Sequence, residues 1–231
     1  MAEIKKRLGE VKQRMAAAAR RAGRGPDEIQ LVAISKGIPL PQIREGLEAG
    51  IPILGENRVQ EAREKIAVLG RPVSWHMVGH LQTNKAKLAV ELFDLIHSLD
   101  SLRLARELDR HGQAAGKVVR AFVQVKLVPE ETKSGVEEAD FFSLVEATSE
   151  LSNLKVEGLM VLPPFFRDPE ESRPFFRRLR ELRDHLRERA IPNVGMQHLS
   201  MGMSHDFEVA IEEGATLVRI GTAIFGPRPT G

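Results

Sequence analysis

The chain has no cysteine and no tyrosine, a single tryptophan, and aromatic residues at only 5% of its 231 positions. Without cysteine there is no disulfide, no thiolate metal site and no cysteine nucleophile, a composition that suits a reducing compartment. Without tyrosine no phenol is available as an acid or a base. No apolar run is long enough to cross a bilayer, and the opening Met1-Ala2-Glu3-Ile4-Lys5-Lys6 leads into a charged amphipathic segment rather than an apolar signal core. A soluble, unexported, cytoplasmic protein is expected. Strong net charge is missing too, since 34 basic and 32 acidic residues leave a formal balance of +2. That balance predicts neither a nucleic-acid nor a membrane partner, because both need a concentrated basic surface.

What is present is a regular alternation of short apolar runs and amphipathic segments. Ile4, Leu8, Val11, Met15 and Ala18 recur at helical spacing and predict a helix to about Arg21, a cover over the rest that falls within residues 1–25. Eight strands follow: Gln30–Lys36, Pro52–Gly55, Val73–Val78, Leu95–Leu99, Val118–Val125, Val156–Val161, Gln197–Leu199 and Thr216–Ile220. Helices are expected between them, one starting near Pro41, one capped by Asn57, one from Thr83, one capped by Ser101, one entered through Glu137-Glu138, a long one after Pro169 and one from Asp206. The long helix carries Arg173, Arg177, Arg178, Arg180, Arg183, Arg187 and Arg189, but Glu181, Asp184 and Glu188 interleave with them. It reads as a solvated face with i,i+4 pairs rather than an RNA surface. No Gly-x-Gly-x-x-Gly follows the first strand, and no linker or repeat divides the chain. The pattern predicts an α/β fold, a single (β/α)8 TIM barrel spanning residues 1–231 with an extra N-terminal helix.

The first strand is too apolar to have a wet face, and its last residue, Lys36, is the exception. Side chains alternate along a strand, so Lys36 shares a face with Val32 and Ile34 and brings an ammonium to the carboxyl end, where such folds place their ligands. A lysine desolvated there can attack an aldehyde to form a Schiff base. The residue types alone leave open the plainer reading, in which Lys36 ends the strand and reaches out to water.

The loops after the seventh and eighth strands combine hydroxyls and glycine, in Ser200-Met201-Gly202-Met203-Ser204-His205-Asp206 and in Gly221-Thr222-Ala223-Ile224-Phe225-Gly226. In barrels these paired loops often cradle a phosphate on backbone N–H groups, and small residues there are otherwise turns and caps. Arg219 shares a face with Leu217 and Gly221, and if buried it needs an acceptor, either a carboxylate such as Glu56 or Glu157 or a ligand atom. Asn57 is placed either to reach a ligand from the end of the second strand or to cap the next helix. His76 and His80 lie four apart across a strand break at Gly79, a poor zinc pair, and no metal site is expected. His198 and His205 flank the phosphate loop. A reactive lysine, a phosphate cradle and an inward arginine on one rim point to a phosphorylated aldehyde.

Six segments carry a closer likeness: Val32-Ala33-Ile34-Ser35-Lys36, Gly55-Glu56-Asn57-Arg58-Val59-Gln60-Glu61, Trp75-His76-Met77-Val78-Gly79-His80-Leu81-Gln82-Thr83-Asn84-Lys85, Gly158-Leu159-Met160, Leu199-Ser200-Met201-Gly202-Met203-Ser204, and Val218-Arg219-Ile220-Gly221-Thr222-Ala223-Ile224-Phe225-Gly226. Together they resemble the pyridoxal phosphate homeostasis proteins, over about residues 6 to 228. The resemblance implies a barrel similar to the alanine racemase N-terminal domain, the fold type III arrangement, with pyridoxal 5′-phosphate (PLP) on Lys36. It implies that Ser200, Gly221 and Thr222 hold the phosphate and that Arg219 faces the pyridine nitrogen, with Asn57 completing the cofactor set. The sequence departs from the family at Gly37-Ile38-Pro39, where relatives usually carry a bulkier residue after the lysine.

A charged arginine at the pyridine nitrogen disfavours its protonation and weakens the ring as an electron sink. Racemases similar to this barrel add a tyrosine base from a second domain, and this sequence offers neither. The expectation is therefore a monomeric PLP carrier acting in vitamin B6 homeostasis, with no catalytic residue, little or no turnover, and apo PLP-dependent enzymes as receivers. The alternatives are a racemase-like enzyme using His76, His80 or His205 as the opposite-face base, and a class I aldolase whose lysine attacks a sugar phosphate directly.

Overall fold

The computed structural model describes residues 2–128 and 134–227; the rest of the expected 1–231 span lies outside the described residues. Strands β1 (Gln30–Ile34), β2 (Ile53–Glu56), β3 (Ser74–Met77), β4 (Leu95–Leu99) and β5 (Val119–Lys126) run side by side, and β7 (Leu154–Met160), β8 (Val194–Ser200) and β9 (Leu217–Ile220) complete the ring. Every pairing is parallel, and β9 returns to β1 in the register Val32 opposite Arg219 and Ala33 opposite Ile220. The eight-stranded barrel read from the sequence is thus closed. A ninth, two-residue strand, β6 (Val136–Glu137), extends β5 at the rim and was not expected.

The alternation of side chains sorts the core into two layers. Val32, Ile53, Val78, Leu95, Phe122, Met160 and Leu217 fill the interior of the barrel. Leu31 and Ala33, on the opposite face of β1, join the larger layer between strands and helices. That outer layer is covered by α2 (Leu40–Glu48), α3 (Val59–Leu69), α4 (Ala86–Leu92), α5 (Leu102–Ala114), α6 (Glu138–Thr148), α7 (Arg173–Arg189) and α8 (Phe207–Glu212), with a last turn, α9 (Thr222–Phe225), after β9. Each fully buried aliphatic or phenylalanine side chain contributes about 1.5–3 kcal/mol of transfer free energy, so both layers drive closure. The expected covering helix, α1 (Ala2–Arg21), buries Ile4, Leu8, Val11, Met15 and Ala18 against α2, α8 and α9.

Several expected boundaries shift for local reasons. β1 stops at Ile34, because Ile38 donates its N–H to the Ser35 carbonyl at 2.9 Å and turns the chain through Gly37 at φ +69°. Lys36 therefore sits in a turn, not in the strand. Asn57 is not the cap of α3; Arg58 occupies that position in extended conformation with no side-chain cap. The helix expected from Thr83 opens with a 3-10 turn over Thr83–Lys85. The arginines of α7 do avoid an open basic face, but chiefly by reaching other elements: Arg173, Arg177 and Arg180 all converge on Glu213, and Arg178 pairs with Glu138.

Candidate functional site

At the carboxyl end of β1 and β2 a buried charge cluster holds the turn that carries Lys36. Lys65, one turn after Glu61 on α3, is only 7% exposed. Its Nζ donates to the Ser35 carbonyl at 2.5 Å, to Glu56 Oε1 at 2.6 Å and to Glu61 Oε1 at 2.7 Å. Ser35 Oγ donates to the same Glu56 oxygen at 2.6 Å, and the Gly37 N–H donates to Glu61 Oε1 at 2.6 Å. Burial pushes the Glu56 carboxyl above its ordinary pKa despite the Lys65 charge and the Ser35 hydroxyl. Burial acts the same way on Glu61, but there the bonds from Lys65 and Gly37 prevail and hold its pKa below the ordinary value. Lys36 itself is half-buried and, among the described residues, has no hydrogen-bond or ion-pair partner.

Across the β1–β9 pair lie the two small-residue turns. A β-carbon on Gly221 would stand 3.4 Å from Ile34 Cβ, so Gly221 packs directly on the residue two before Lys36. Gly202, at φ +88°, bends the loop after β8; Asp206 Oδ1 accepts the Met203 N–H at 2.7 Å and pins it. This brings Ser204, not Ser200, to the turn after β9: the N–H groups of Gly221 and Ala223 both approach Ser204 Oγ, each at 3.3 Å. A cavity of about 320 Å³ opens there, lined by Ile34, Asn57, Ser204, Arg219, Gly221 and Thr222 together with the Pro164–Phe166 segment and His205. That volume lies at the lower end of the range for small-molecule sites. Of the two positions open to it, Asn57 thus lines the cavity rather than capping the helix. It is backed by Gly79, whose hydrogen leaves room for the Asn57 backbone carbonyl where a β-carbon would collide.

Ser200, expected to hold the phosphate, is fully buried and is not on the cavity wall; its hydroxyl is engaged inside the barrel. Arg219 Nη1 donates to Ser200 Oγ at 2.6 Å, and its Nη2 donates to the Val161 carbonyl at 2.8 Å. Ser200 Oγ lies 2.8 Å from His97 Nδ1, and His97 Nε2 lies 3.0 Å from His76 Nδ1. Arginine can only donate, so Ser200 Oγ accepts from it and keeps its own proton to give to His97 Nδ1; in that tautomer His97 donates from Nε2 to His76. The chain is satisfied with both imidazoles neutral. Burial accordingly lowers the His76 pKa to about 4 and that of His97 well below the ordinary histidine value. Neither Glu56 nor Glu157 serves Arg219: Glu56 is held by Lys65, and Glu157 pairs with Arg120 and Lys155. Burial brings the Arg219 pKa down to about 10, with the Asp206 charge pulling the other way. It remains a cation at neutral pH.

The histidines separate. His80 leaves the interior and meets Asp100 at 3.2 Å in a second groove on the rim. His198 stacks toward Phe122 and is absent from the cavity wall, whereas His205 lines it, with Nε2 3.0 Å from the Arg167 carbonyl. Among the described residues no three His, Asp or Glu side chains form a metal site. Sequence reading assigned no role to Lys65, Ser204 or His97, which the structure ties to the Lys36 turn, the cavity wall and Ser200 respectively. Their signals were present: a Glu61–Lys65 i,i+4 pair, a second hydroxyl in the loop after β8, and a histidine inside an apolar strand.

A closed parallel barrel with a half-buried lysine after its first strand and a cradle after its last two defines the class to which the family model described as "Alanine racemase, N-terminal domain" belongs, and that model matches residues 7–229. An alanine racemase from Clostridium difficile has the same fold at a TM-score of 0.72 and 15% identity, the chain covering 57% of that protein's length. The pyridoxal phosphate homeostasis protein of Aquifex aeolicus is 49% identical over 96% of this chain and 97% of its own length. PipY of Synechococcus elongatus, solved with PLP bound, superposes at a TM-score of 0.85 with 39% identity, covering 96% of this chain and all of that one. The chain belongs to the pyridoxal phosphate homeostasis protein family.

Proposed function

We propose that this protein is a cytoplasmic PLP carrier of vitamin B6 homeostasis that holds the cofactor as a Schiff base on Lys36, with little or no turnover. The observation that supports the reading is one cavity lined by Ile34, two residues before Lys36, by Arg219 and by the Ser204–Gly221–Thr222 cradle; Lys36 itself is not on its wall but, among the described residues, has no other partner. PipY, a relative of known structure, is solved with PLP bound, and the Aquifex aeolicus relative carries the homeostasis name. PLP supplies an aldehyde that condenses with an amine and a ring that can withdraw electrons from what is attached to it.

The residues present fit that group. Lys36 offers an amine that, among the described residues, has no competing partner. Ser204, Gly221 and Thr222 offer a hydroxyl-and-backbone cradle for a phosphate, and Asn57 closes the opposite side. Arg219 spends two of its five N–H donors on Ser200 and Val161 and, among the described residues, has no further partner. A permanent cation facing a pyridine nitrogen keeps that nitrogen unprotonated, and no tyrosine exists anywhere in the chain to act as a proton-transfer base. Both features favour holding over turnover. The racemase reading retains one supporting observation, His205 on the cavity wall, and the aldolase reading none.

The test is direct. The purified protein should be yellow, borohydride should fix the cofactor on Lys36, and Lys36→Ala should abolish the attachment. Colourless protein that ignores added PLP would sink the proposal. Exchange of the α-proton of amino acids in deuterated water faster than with free PLP would replace carrier by racemase.

A further inference from the structure

The cavity reading leaves unexplained why a second lysine and two acids are buried next to Lys36. Buried charge costs desolvation free energy, and a cluster that served only to close the barrel would be replaced at no loss by apolar side chains. This cluster does something an apolar plug could not. Its hydrogen bonds go to the main chain on both sides of one residue: the Ser35 carbonyl is taken by Lys65 Nζ at 2.5 Å, and the Gly37 N–H is taken by Glu61 Oε1 at 2.6 Å. Glu56, fully buried at the end of β2, ties the two together by accepting from Lys65 and from Ser35 Oγ through a single oxygen. The one side chain inside this frame that receives no bond is that of Lys36.

We infer that Lys65, with Glu56 and Glu61, is a positioning residue for Lys36, fixing the peptide groups before and after it so that its amine is delivered to the cavity. The inference rests on the proposed Schiff base at Lys36. Condensation there forms a C=N bond and releases water, with no oxidant or reductant required. The protein's share of the work is to hold the amine in reach, and such orientation is worth large factors even for small displacements. Lys65 is unfit for the reaction itself, because two carboxylates and a carbonyl occupy its ammonium. Gly37 makes the frame possible, since its φ of +69° lies in the left-handed region that bulkier residues rarely adopt.

The experiment compares PLP with pyridoxine 5′-phosphate, which has the same phosphate and ring but no aldehyde. Two variants are used: Glu56→Gln/Lys65→Met, which leaves no carboxylate at the fully buried position 56, and Glu61→Ala, which frees the Gly37 N–H and removes one of the two carboxylates on Lys65 while Glu56 still holds it. The clamp predicts covalent capture of PLP weakened by about tenfold or more, pyridoxine 5′-phosphate binding held within about twofold, and faster hydrogen exchange at the Gly37 amide. A structural role alone would weaken both ligands together. Should the double variant fail to fold, Glu61→Ala decides on the same readouts, since Glu61 lies at the edge of the cluster. Wild-type protein that binds pyridoxine 5′-phosphate yet takes no PLP onto Lys36 overturns the Schiff-base reading and the clamp with it. Wild type that captures PLP while both variants capture it equally well overturns the clamp alone.

Discussion

Lys65 and Arg219 are buried to nearly the same degree, 7% and 4% exposed, on neighbouring sides of the barrel mouth, yet their surroundings differ in kind. Lys65 faces two carboxylates in contact, whereas Arg219 has only a serine hydroxyl and a carbonyl. A buried cation with counter-charge is part of the frame. A buried cation without it keeps unspent capacity for an acceptor that arrives from outside, and only Arg219 lines the cavity.

The largest expected effect is on the framed side. Lys65→Met leaves the Glu56 carboxylate buried without its partner and should cost about 3–5 kcal/mol in denaturant unfolding, most of it recovered in Glu56→Gln/Lys65→Met. Similar losses in the single and the double variant would break the distinction. An intermediate effect concerns the histidines behind Arg219. The His76 pKa falls from 6.5 to about 4 on folding, so its contribution is fully present above pH 6.5 and is lost as pH falls through 4. Stability should therefore drop by about 2 kcal/mol between about pH 7 and about pH 5, and His76→Gln should flatten the urea-midpoint profile over that interval. The smallest effect is expected at Arg219. Arg219→Met removes a desolvation penalty together with two hydrogen bonds, and the net change should be about 1 kcal/mol or less, while PLP binding weakens. A loss as large as that of Lys65→Met would show that Arg219 belongs to the frame after all.

The barrel was legible because its signals are local. Short apolar runs punctuated by glycine and proline, and helical periodicity between them, depend on near neighbours, and they placed all eight barrel strands in order. The two-residue β6 carries no such pattern. Candidate residues were legible where one stood out against its strand, as Lys36 and Arg219 do. Placement was not legible where it depended on contacts from afar. Ser200 and Ser204 are equivalent by composition, and only the partners Arg219 and His97, 19 and 103 residues away, draw the first into the interior. Lys65 drew no reading from the sequence, since its bond to the Ser35 carbonyl spans 30 residues. Asn57 satisfied a capping pattern, but the turn after β2 was already set by its contact with Gly79.

That contact has a wider meaning for how the binding chamber is dimensioned. Because Gly79 touches the Asn57 carbonyl with nothing to spare, even one added methyl at 79 would displace the backbone at Asn57, which lines the chamber. The form of the opening on that side is therefore written in an omitted carbon atom behind the wall, and an alanine there would act as a gauge block, reshaping the chamber through Asn57 alone.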